Sequence, residues 1–266
     1  MIINMGPQHP STHGVLRLMM ELDGETVLRA KPVIGYLHTG MEKTGEELTY
    51  VQGAHQRHAH GLRVAARRTS SCSRMAVERL LDVEVPARAT WIRMLLVELN
   101  RMSSHLLFQA TNGMDLGAVS MMIYGWRERE EVLRLLETIT GLRMNHNFIR
   151  PGGVAADLPD GWQRRRARAS ATRVERGVAR VRRRCSPSNP IWRERTVGVG
   201  VITTEEALAL SVTGPILRST GFAWDLRKAQ PYLALRRGRL RRRSYATNGD
   251  VLRPLPRSAS TRSSSR

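Results

Sequence analysis

The chain begins with two apolar segments separated by a turn that contains two histidines. The turn, residues 5–13, reads Met-Gly-Pro-Gln-His-Pro-Ser-Thr-His; Ile2 and Ile3 precede it and an alternating apolar segment follows it. Alternation with a period of two predicts β-strands, and Gly and Pro between such segments predict a hairpin. The hairpin would present His13, a side chain that exchanges protons near neutral pH, to a ligand. From spacing alone, the simpler explanation is that the two histidines cap backbone groups of the turn.

Two long helices are predicted in the middle of the chain, after a helix fragment at 75–82. The first begins after Pro86 and ends at Gly113, and the second covers about 119–140. The first helix carries an apolar stripe at helical spacing: Ile92, Leu95, Leu96, Leu99, Met102 and Leu106. The core side of the second helix is predicted to consist of Met122, Trp126, Leu133 and Leu136.

Shorter elements complete the predicted fold. Residues 2–22 and about 26–36 are predicted to form the strands of a small antiparallel sheet. Thr203 or Thr204 is predicted to cap a short helix over Glu205–Leu210, whose first turn is acidic. The fold class is therefore predicted as α+β and mainly helical, with a small N-terminal antiparallel sheet followed by a helical bundle.

The net charge of +20 is concentrated in three arginine-rich windows. Residues 54–74 hold 5 Arg and no acid, residues 163–185 hold 10 Arg and one Glu, and residues 235–266 hold 10 Arg and one Asp. Together they carry 25 basic and 2 acidic residues, whereas the rest of the chain carries 18 basic and 21 acidic residues. No window contains lysine, and both cysteines, Cys72 and Cys185, lie inside the windows.

Two explanations of the arginine-rich windows are open. Nucleic-acid-binding patches would need interleaved aromatics for base stacking, which the windows lack apart from Tyr245. A shifted reading frame in a GC-rich gene explains them better. With suitable codons, the next frame of Leu235–Arg243 encodes an alternating acidic strand, and that of Ala54–Ala65 encodes Thr-Asn-Val-Thr-Arg-Met-Asp-Tyr-Ala-Ser-Pro. Residues 163–185 offer no equally regular hidden segment.

Motifs outside the windows carry a resemblance to a known family, in matching order and spacing. They are Gly6-Pro-Gln-His-Pro-Ser-Thr-His-Gly14, Ile34-Gly-Tyr-Leu-His-Thr-Gly40, Glu98-Leu-Asn-Arg-Met-Ser-Ser-His105, Gly125-Trp-Arg-Glu-Arg-Glu130, Asn147-Phe-Ile-Arg-Pro-Gly-Gly-Val154, Gly198-Val-Gly-Val-Ile202 and Asp225-Leu-Arg-Lys-Ala-Gln-Pro231. With them the chain resembles the 49 kDa (D-type) subunit family of respiratory complex I, the proton-pumping NADH–quinone oxidoreductase. Proteins of that family are longer, so a C-terminal part is expected to be missing.

The resemblance divides the chain into matching and disrupted segments. The matching segments are an N-terminal hairpin and sheet region at 1–53, a helical core at 75–162 and a family-like segment at 189–234. The disrupted ones are 54–74, the Arg-rich 163–188 and the tail 235–266, which is expected to be disordered. The fold would resemble the large subunit of nickel–iron hydrogenases. Those proteins hold their metal with two Cys-x-x-Cys pairs, and none occurs here, so no metal site is expected.

The resemblance also implies a quinone site. The family residues that match His13 and Asp115 lie together at the inner end of the quinone cavity, and His9 is expected to contact the quinone too. A carboxylate beside an imidazole stabilises the protonated ring, which can hydrogen-bond a quinone carbonyl and deliver a proton. Without the resemblance, Asp115 would be an ordinary loop carboxylate just past the first long helix. The family's second quinone ligand is the tyrosine of Arg-Met-Asp-Tyr, but Leu62 stands near its place, so quinone reduction should be badly impaired.

A polar face is predicted on the first long helix, opposite its apolar stripe. Glu98, Arg101 and His105 are spaced i, i+3, i+7, which by itself predicts a solvated face. The resemblance implies instead that Arg101 and His105 lie near a terminal [4Fe–4S] cluster held by a partner subunit, where a positive charge favours the reduced cluster. His38 lies on the loop after a strand, where it could be either a site residue or a structural histidine whose nitrogens are hydrogen-bonded within the loop.

Further expectations concern cofactors, partners and location. Gly198-Val-Gly-Val-Ile202 lacks the third glycine of a dinucleotide fingerprint, so NAD would be used elsewhere in the complex. No apolar run approaches the roughly 20 residues that span a bilayer, and no signal peptide is expected. The expected partners are other complex I subunits, namely the cluster-bearing B-type subunit, a C-type neighbour and the membrane arm, with no nucleic acid. The chain would be a peripheral protein on the cytoplasmic side of the cell membrane.

Overall fold

A computed structural model describes residues 1–49, 74–144, 146–162, 172, 176, 177, 179, 189–225 and 229–233. The chain forms two compact units, Met1–Ala66 and Arg67–Arg266. The predictions for residues 54–73, for most of 163–188 and for 235–266 lie outside the described residues.

The first unit contains a three-stranded antiparallel sheet in the order β1-β2-β3. The strands are β1 (Ile2–Met5), β2 (Arg17–Asp23) and β3 (Thr26–Val33). The predicted hairpin and sheet are confirmed, although β3 ends three residues earlier than predicted, before Gly35, whose φ is +120°. A short helix, α1 (Met41–Glu47), follows.

The core of the second unit is a pair of long helices, α2 (Ala87–Asp115) and α3 (Ser120–Thr140). Four of the six predicted stripe residues of α2 are buried in the core, and the other two pack partly buried against it. Two glycines allow close helix contact: a Cβ on Gly125 would lie 2.5 Å from the Ala110 Cβ, and one on Gly113 would lie 2.7 Å from the Met121 Cβ. Small residues at such points let helix backbones approach each other.

The predicted core face of α3 is wrong in part. Leu133 and Leu136 are buried as expected, but Met122 is half-buried and Trp126 is 38% exposed. The Trp126 indole lies outside the core, where its Nε1 donates to the Met122 Sδ at 2.9 Å and Arg129 stacks over the ring at 4.6 Å. The buried face passes instead through Met121 and Gly125, one position earlier in the helical repeat.

Smaller elements surround the long helices. Residues 74–80 are helical, and a tight hairpin joins β4 (Ile149–Arg150) to β5 (Gly153–Val154). Three short helices follow: α4 (Pro190–Thr196), α5 (Thr204–Ala209) and α6 (Gly214–Ser219). Among the described residues, no helix is both long and apolar enough to cross a membrane.

Of the two predicted capping residues of the short helix α5, Thr203 and Thr204, the N-cap is Thr203. Its hydroxyl accepts a hydrogen bond from the Glu206 backbone N–H at 3.2 Å, and the Glu206 carboxylate accepts one from the Thr203 backbone N–H at 2.9 Å. This reciprocal capping box satisfies two backbone donors that a helix start leaves without intrahelical partners. The bond from the Thr203 backbone N–H, and then one from the Thr203 hydroxyl to the same carboxylate, lower the pKa of Glu206.

Candidate functional site

The tip of the β1–β2 hairpin is a tightly bonded loop. Thr12 is buried, and its hydroxyl donates to the carbonyls of Pro7 at 3.3 Å and His9 at 3.0 Å. Gly6 has a φ of +82°, and a Cβ there would lie 2.5 Å from the Thr12 Oγ1. Only glycine therefore fits at this position, and the loop is closed around Thr12.

The two histidines of the tip have different roles in the loop. His9 caps a single 3-10 turn (Pro10–Thr12), since its Nδ1 accepts a hydrogen bond from the Ser11 backbone N–H at 3.2 Å. This is the capping role that spacing alone predicted. His13 follows the turn in the left-handed region with a φ of 54°, and it is exposed. The loop thus holds the His13 backbone in a fixed conformation at the exposed tip of the hairpin.

Asp115 lies at the C-terminal end of α2. The prediction that it follows the helix is wrong, because the helix continues past Gly113 and Asp115 is its last residue, with Leu116 as the C-cap before Gly117. Gly117 has a φ of +88°, and the N–H groups of Gly117 and Ala118 donate to the carbonyls of Met114 at 2.9 Å and Gly113 at 2.8 Å. These two bonds form a Schellman motif, which requires a left-handed residue at Gly117. Asp115 is exposed.

His13 and Asp115 belong to different units, and their pairing stays a prediction. His13 lies on a hydrogen-bonded loop, and Asp115 lies on the last turn of a 29-residue helix. A site that binds a ligand needs its side chains on such defined backbone positions.

Arg101 is not on a solvated face, which corrects the prediction made from spacing. It is 7% exposed, and its Nη2 donates to Glu98 Oε1 at 2.7 Å and to the Tyr232 hydroxyl at 3.3 Å. Burial by itself would lower the pKa of Arg101, but the Glu98 carboxylate and the Tyr232 hydroxyl outweigh burial and raise it. His105, one turn further along, is half-buried. Their proximity to a partner's cluster stays a prediction.

A buried ion pair that the sequence did not reveal lies beside the β4–β5 hairpin. Arg93 donates to both carboxylate oxygens of Glu78, at 3.0 and 2.6 Å, and to the backbone carbonyls of Gly153 at 2.9 Å and Arg150 at 2.7 Å. Glu78 also accepts from the Gly152 N–H at 2.8 Å. The pair therefore joins the helical segment 74–80, α2 and the hairpin turn. No sequence pattern links these positions, so the pair could be found only in three dimensions.

His38 has a structural role in the first unit. Its Nδ1 accepts from the Gly40 N–H at 3.2 Å, and its Nε2 lies 2.7 Å from the Glu42 carboxylate. The backbone hydrogen bond of Glu42 and the bond from His38 lower the pKa of that carboxyl. Of the two roles left open for His38, the structure supports the structural one. In the part of the chain that the structure describes, no three His, Cys, Asp or Glu residues group as metal ligands.

Comparison with known proteins identifies the family. Residues 115–257 match the family model of the respiratory-chain NADH dehydrogenase 49 Kd subunit. The chain is 52% identical over 236 residues to a D-type subunit of the NADH-quinone oxidoreductase of Salinispora tropica, covering 87% of this chain and 52% of that protein. It is 51% identical over 240 residues to the D-type subunit of the same enzyme from Mycolicibacterium smegmatis, covering 87% and 52% respectively.

The chain belongs to the family of the 49 Kd subunit of respiratory-chain NADH dehydrogenase. It spans about half the length of the curated relatives that it matches. The resemblance stated from the motifs is therefore confirmed, and so is the α+β, mainly helical fold class. The further likeness to the large subunit of nickel–iron hydrogenases stays a prediction.

Proposed function

We propose that the chain acts as a peripheral-arm subunit of a proton-translocating NADH–quinone oxidoreductase and forms part of its quinone-reduction site. The observation that carries the proposal is the hairpin tip. In a chain of this family, the Gly6–Gly14 loop is closed around buried Thr12 and leaves His13 exposed in a fixed conformation. Such a loop is suited to bind and protonate a ligand rather than to fill a core.

The proposed chemistry is proton delivery to a quinone. Quinone reduction to quinol takes two electrons and two protons, one proton for each carbonyl oxygen. The electrons would come from a [4Fe–4S] cluster held by a partner subunit, which supplies the redox chemistry. His13 would donate a hydrogen bond and then a proton to one carbonyl oxygen, the Asp115 carboxylate would stabilise the protonated imidazole, and a proton from solvent would return to His13. The second proton would come from the phenol of the family's Arg-Met-Asp-Tyr segment, which the chain as printed lacks. His9 would contact the headgroup from the same loop.

The remaining parts of the proposal concern the assembly. Arg101 and His105 are proposed to lie on the side of α2 nearest the partner's cluster, and NAD is proposed to bind elsewhere in the complex. The proposed partners are the cluster-bearing B-type subunit, a C-type neighbour and the membrane arm. The proposed location is the cytoplasmic side of the cell membrane, as a peripheral protein.

A second proposal is that the chain as printed is a frame-shifted and functionally impaired form. Its support is the separation of charge, since the three windows carry net +23 and the rest of the chain carries net −3. Leu62 would then replace the tyrosine that binds the second quinone carbonyl. Resequencing the coding DNA across codons 50–80, 160–190 and 230 to the end tests this. A continuous frame that encodes Arg-Met-Asp-Tyr would make the windows artefacts, return the intact quinone site and contradict the impaired form. A DNA sequence that encodes the chain as printed would leave the tyrosine ligand missing and support it.

The quinone-site proposal is tested by activity in membranes. NADH:quinone reductase and NADH:ferricyanide reductase are measured together, because the second reaction bypasses the quinone. Restoring the Arg-Met-Asp-Tyr segment should recover quinone reduction, and then His13→Ala and Asp115→Asn should each lower it by about 100-fold or more, the range expected for a general acid. Ferricyanide reduction should be unchanged, and Glu137→Gln, which removes an exposed carboxylate from α3, is the control. Equal quinone activity in His13→Ala and the control would contradict the proposal.

A further inference from the structure

The corner that follows α2 is held by an arginine from a distant part of the chain. The Arg195 Nη1 donates to the Leu116 carbonyl oxygen, across 79 residues of sequence. We propose that Arg195 is a positioning residue that fixes the corner carrying Asp115. This inference rests on the proposed function, in which Asp115 serves the quinone-site histidine.

The way in which α2 ends leaves a backbone carbonyl of the corner without a hydrogen-bond donor from the helix itself. The Schellman motif uses the carbonyls of Gly113 and Met114, so the Leu116 carbonyl is left without a partner in the helix. The C-terminal end of a helix also carries partial negative charge, which makes an aspartate unfavourable there. The guanidinium of Arg195 supplies both a hydrogen-bond donor and a positive charge at this place.

Arg195 is presented to the corner by a well-anchored helix. The N-cap of α4 is Asn189, whose side chain accepts from the N–H groups of Ile191 at 3.1 Å and Trp192 at 3.3 Å. Trp192 is buried and packs in one cluster with Met121 of α3. Thr196 is fully buried next to Arg195 in sequence. The Arg195 side chain therefore starts from a fixed backbone, although its own surface is exposed.

Position 117 requires glycine for two reasons, its left-handed backbone conformation and its close contact with Arg195. A Cβ built on Gly117 would collide with the Arg195 Nη1. The guanidinium thus lies directly against the backbone of the corner, where only glycine leaves room for it. The hydrogen bond to Leu116 and the close approach to Gly117, both made by the Arg195 Nη1, place the guanidinium on this corner.

Amide hydrogen exchange of the full chain tests the positioning role. The variant Arg195→Met keeps an unbranched apolar stem but removes the donors and the charge, and Arg195→Lys keeps the charge and a hydrogen-bonding ammonium group without the guanidinium geometry. Arg193→Met is the matched control, since Arg193 is exposed on the same helix. We expect the amides of residues 116–118 to exchange at least about tenfold faster in Arg195→Met, less in Arg195→Lys and unchanged in Arg193→Met.

The outcomes separate positioning from general destabilisation and from the proposed function. The inference is overturned if Arg195→Met exchanges like Arg193→Met, or if peptides from the α3 core lose protection by the same factor. In membranes that contain the frame-restored chain, Arg195→Met should lower the kcat of quinone reduction by about 10- to 100-fold, the cost of a misplaced catalytic group, and Arg195→Lys should restore part of it. If Asp115→Asn leaves quinone reduction unchanged, the proposed function fails while the exchange result still decides the role of Arg195.

Discussion

The buried Glu78–Arg93 pair should be the most sensitive point of the second unit. The side chains of Arg93 and Glu78 are only 2% and 8% exposed, and the pair makes five hydrogen bonds in total, three of them to the β4–β5 turn. Glu78→Gln removes the charge but keeps the volume, and it leaves the guanidinium buried without a counter-ion. Removing one partner of a buried pair costs about 3–5 kcal/mol of unfolding free energy.

The assay is thermal unfolding of the full chain, followed by circular dichroism. For a domain of this size, about 2–4 °C of melting temperature corresponds to 1 kcal/mol, so Glu78→Gln should lower the melting temperature by about 6–20 °C. The control is the Arg88–Asp157 pair, at 2.8 Å but with side chains 60% and 58% exposed. Arg88→Met should lower the melting temperature much less than Glu78→Gln does, because solvent screens exposed pairs. Equal melting temperatures for Glu78→Gln and Arg88→Met would refute the reasoning.

Three further stability predictions concern other points of the same unit, and each is measured by chemical denaturation. Thr203→Ala removes the capping box and should cost about 1 kcal/mol, whereas Thr213→Ala should cost less because the Thr213 side chain makes no capping bond. Burial first, and then Arg93, lowers the Arg74 pKa to about 10. Since the folded chain binds that proton less tightly than the unfolded chain, the contribution of Arg74 to the unfolding free energy should rise as the pH increases through about 10; this rise should be lost in Arg74→Leu and kept in Arg79→Leu, on the exposed side of the same helical segment. Gly125→Ala should cost about 1–3 kcal/mol through overpacking, and no loss of stability would contradict the close helix contact.

Local patterns predicted the elements of this fold well. Alternation in the first 22 residues predicted β1 and β2, and the helical spacing from Ile92 to Leu106 predicted the core stripe of α2. The acidic first turn after Thr203 predicted the cap of α5. In each case the determining interaction lies within a few residues, so the sequence contains it directly.

The end of α2 shows where local patterns are not enough. Gly113 and Gly117 are four residues apart, and either could end a helix. Gly113 is helical because the Met121 side chain crosses it, and Gly117 takes the left-handed position beside Arg195. Which glycine ends the helix depends on neighbours that lie elsewhere in the fold.

The burial of Arg101 and the ion pair of Glu78 could not be predicted from the sequence for the same reason. Arg101 donates a hydrogen bond to the hydroxyl of Tyr232, 131 residues later, and Glu78 accepts one from the backbone N–H of Gly152. Long-range partners of charged residues leave no periodic signal in a sequence. Spacing alone therefore predicts that a charged residue on a helix faces solvent, and only the three-dimensional structure shows whether it has a buried partner.

Photoaffinity labelling with a quinone that carries a photoreactive headgroup most directly tests the central claim, that His13 and Asp115 belong to a quinone site. The labelling is done in membranes that contain the chain, and the modified peptides are mapped by mass spectrometry. The account predicts label on the Gly6–Gly14 loop and on the corner 113–118, with competition by excess unlabelled quinone. Label confined to other segments of the chain, or label that excess quinone does not displace, would contradict it.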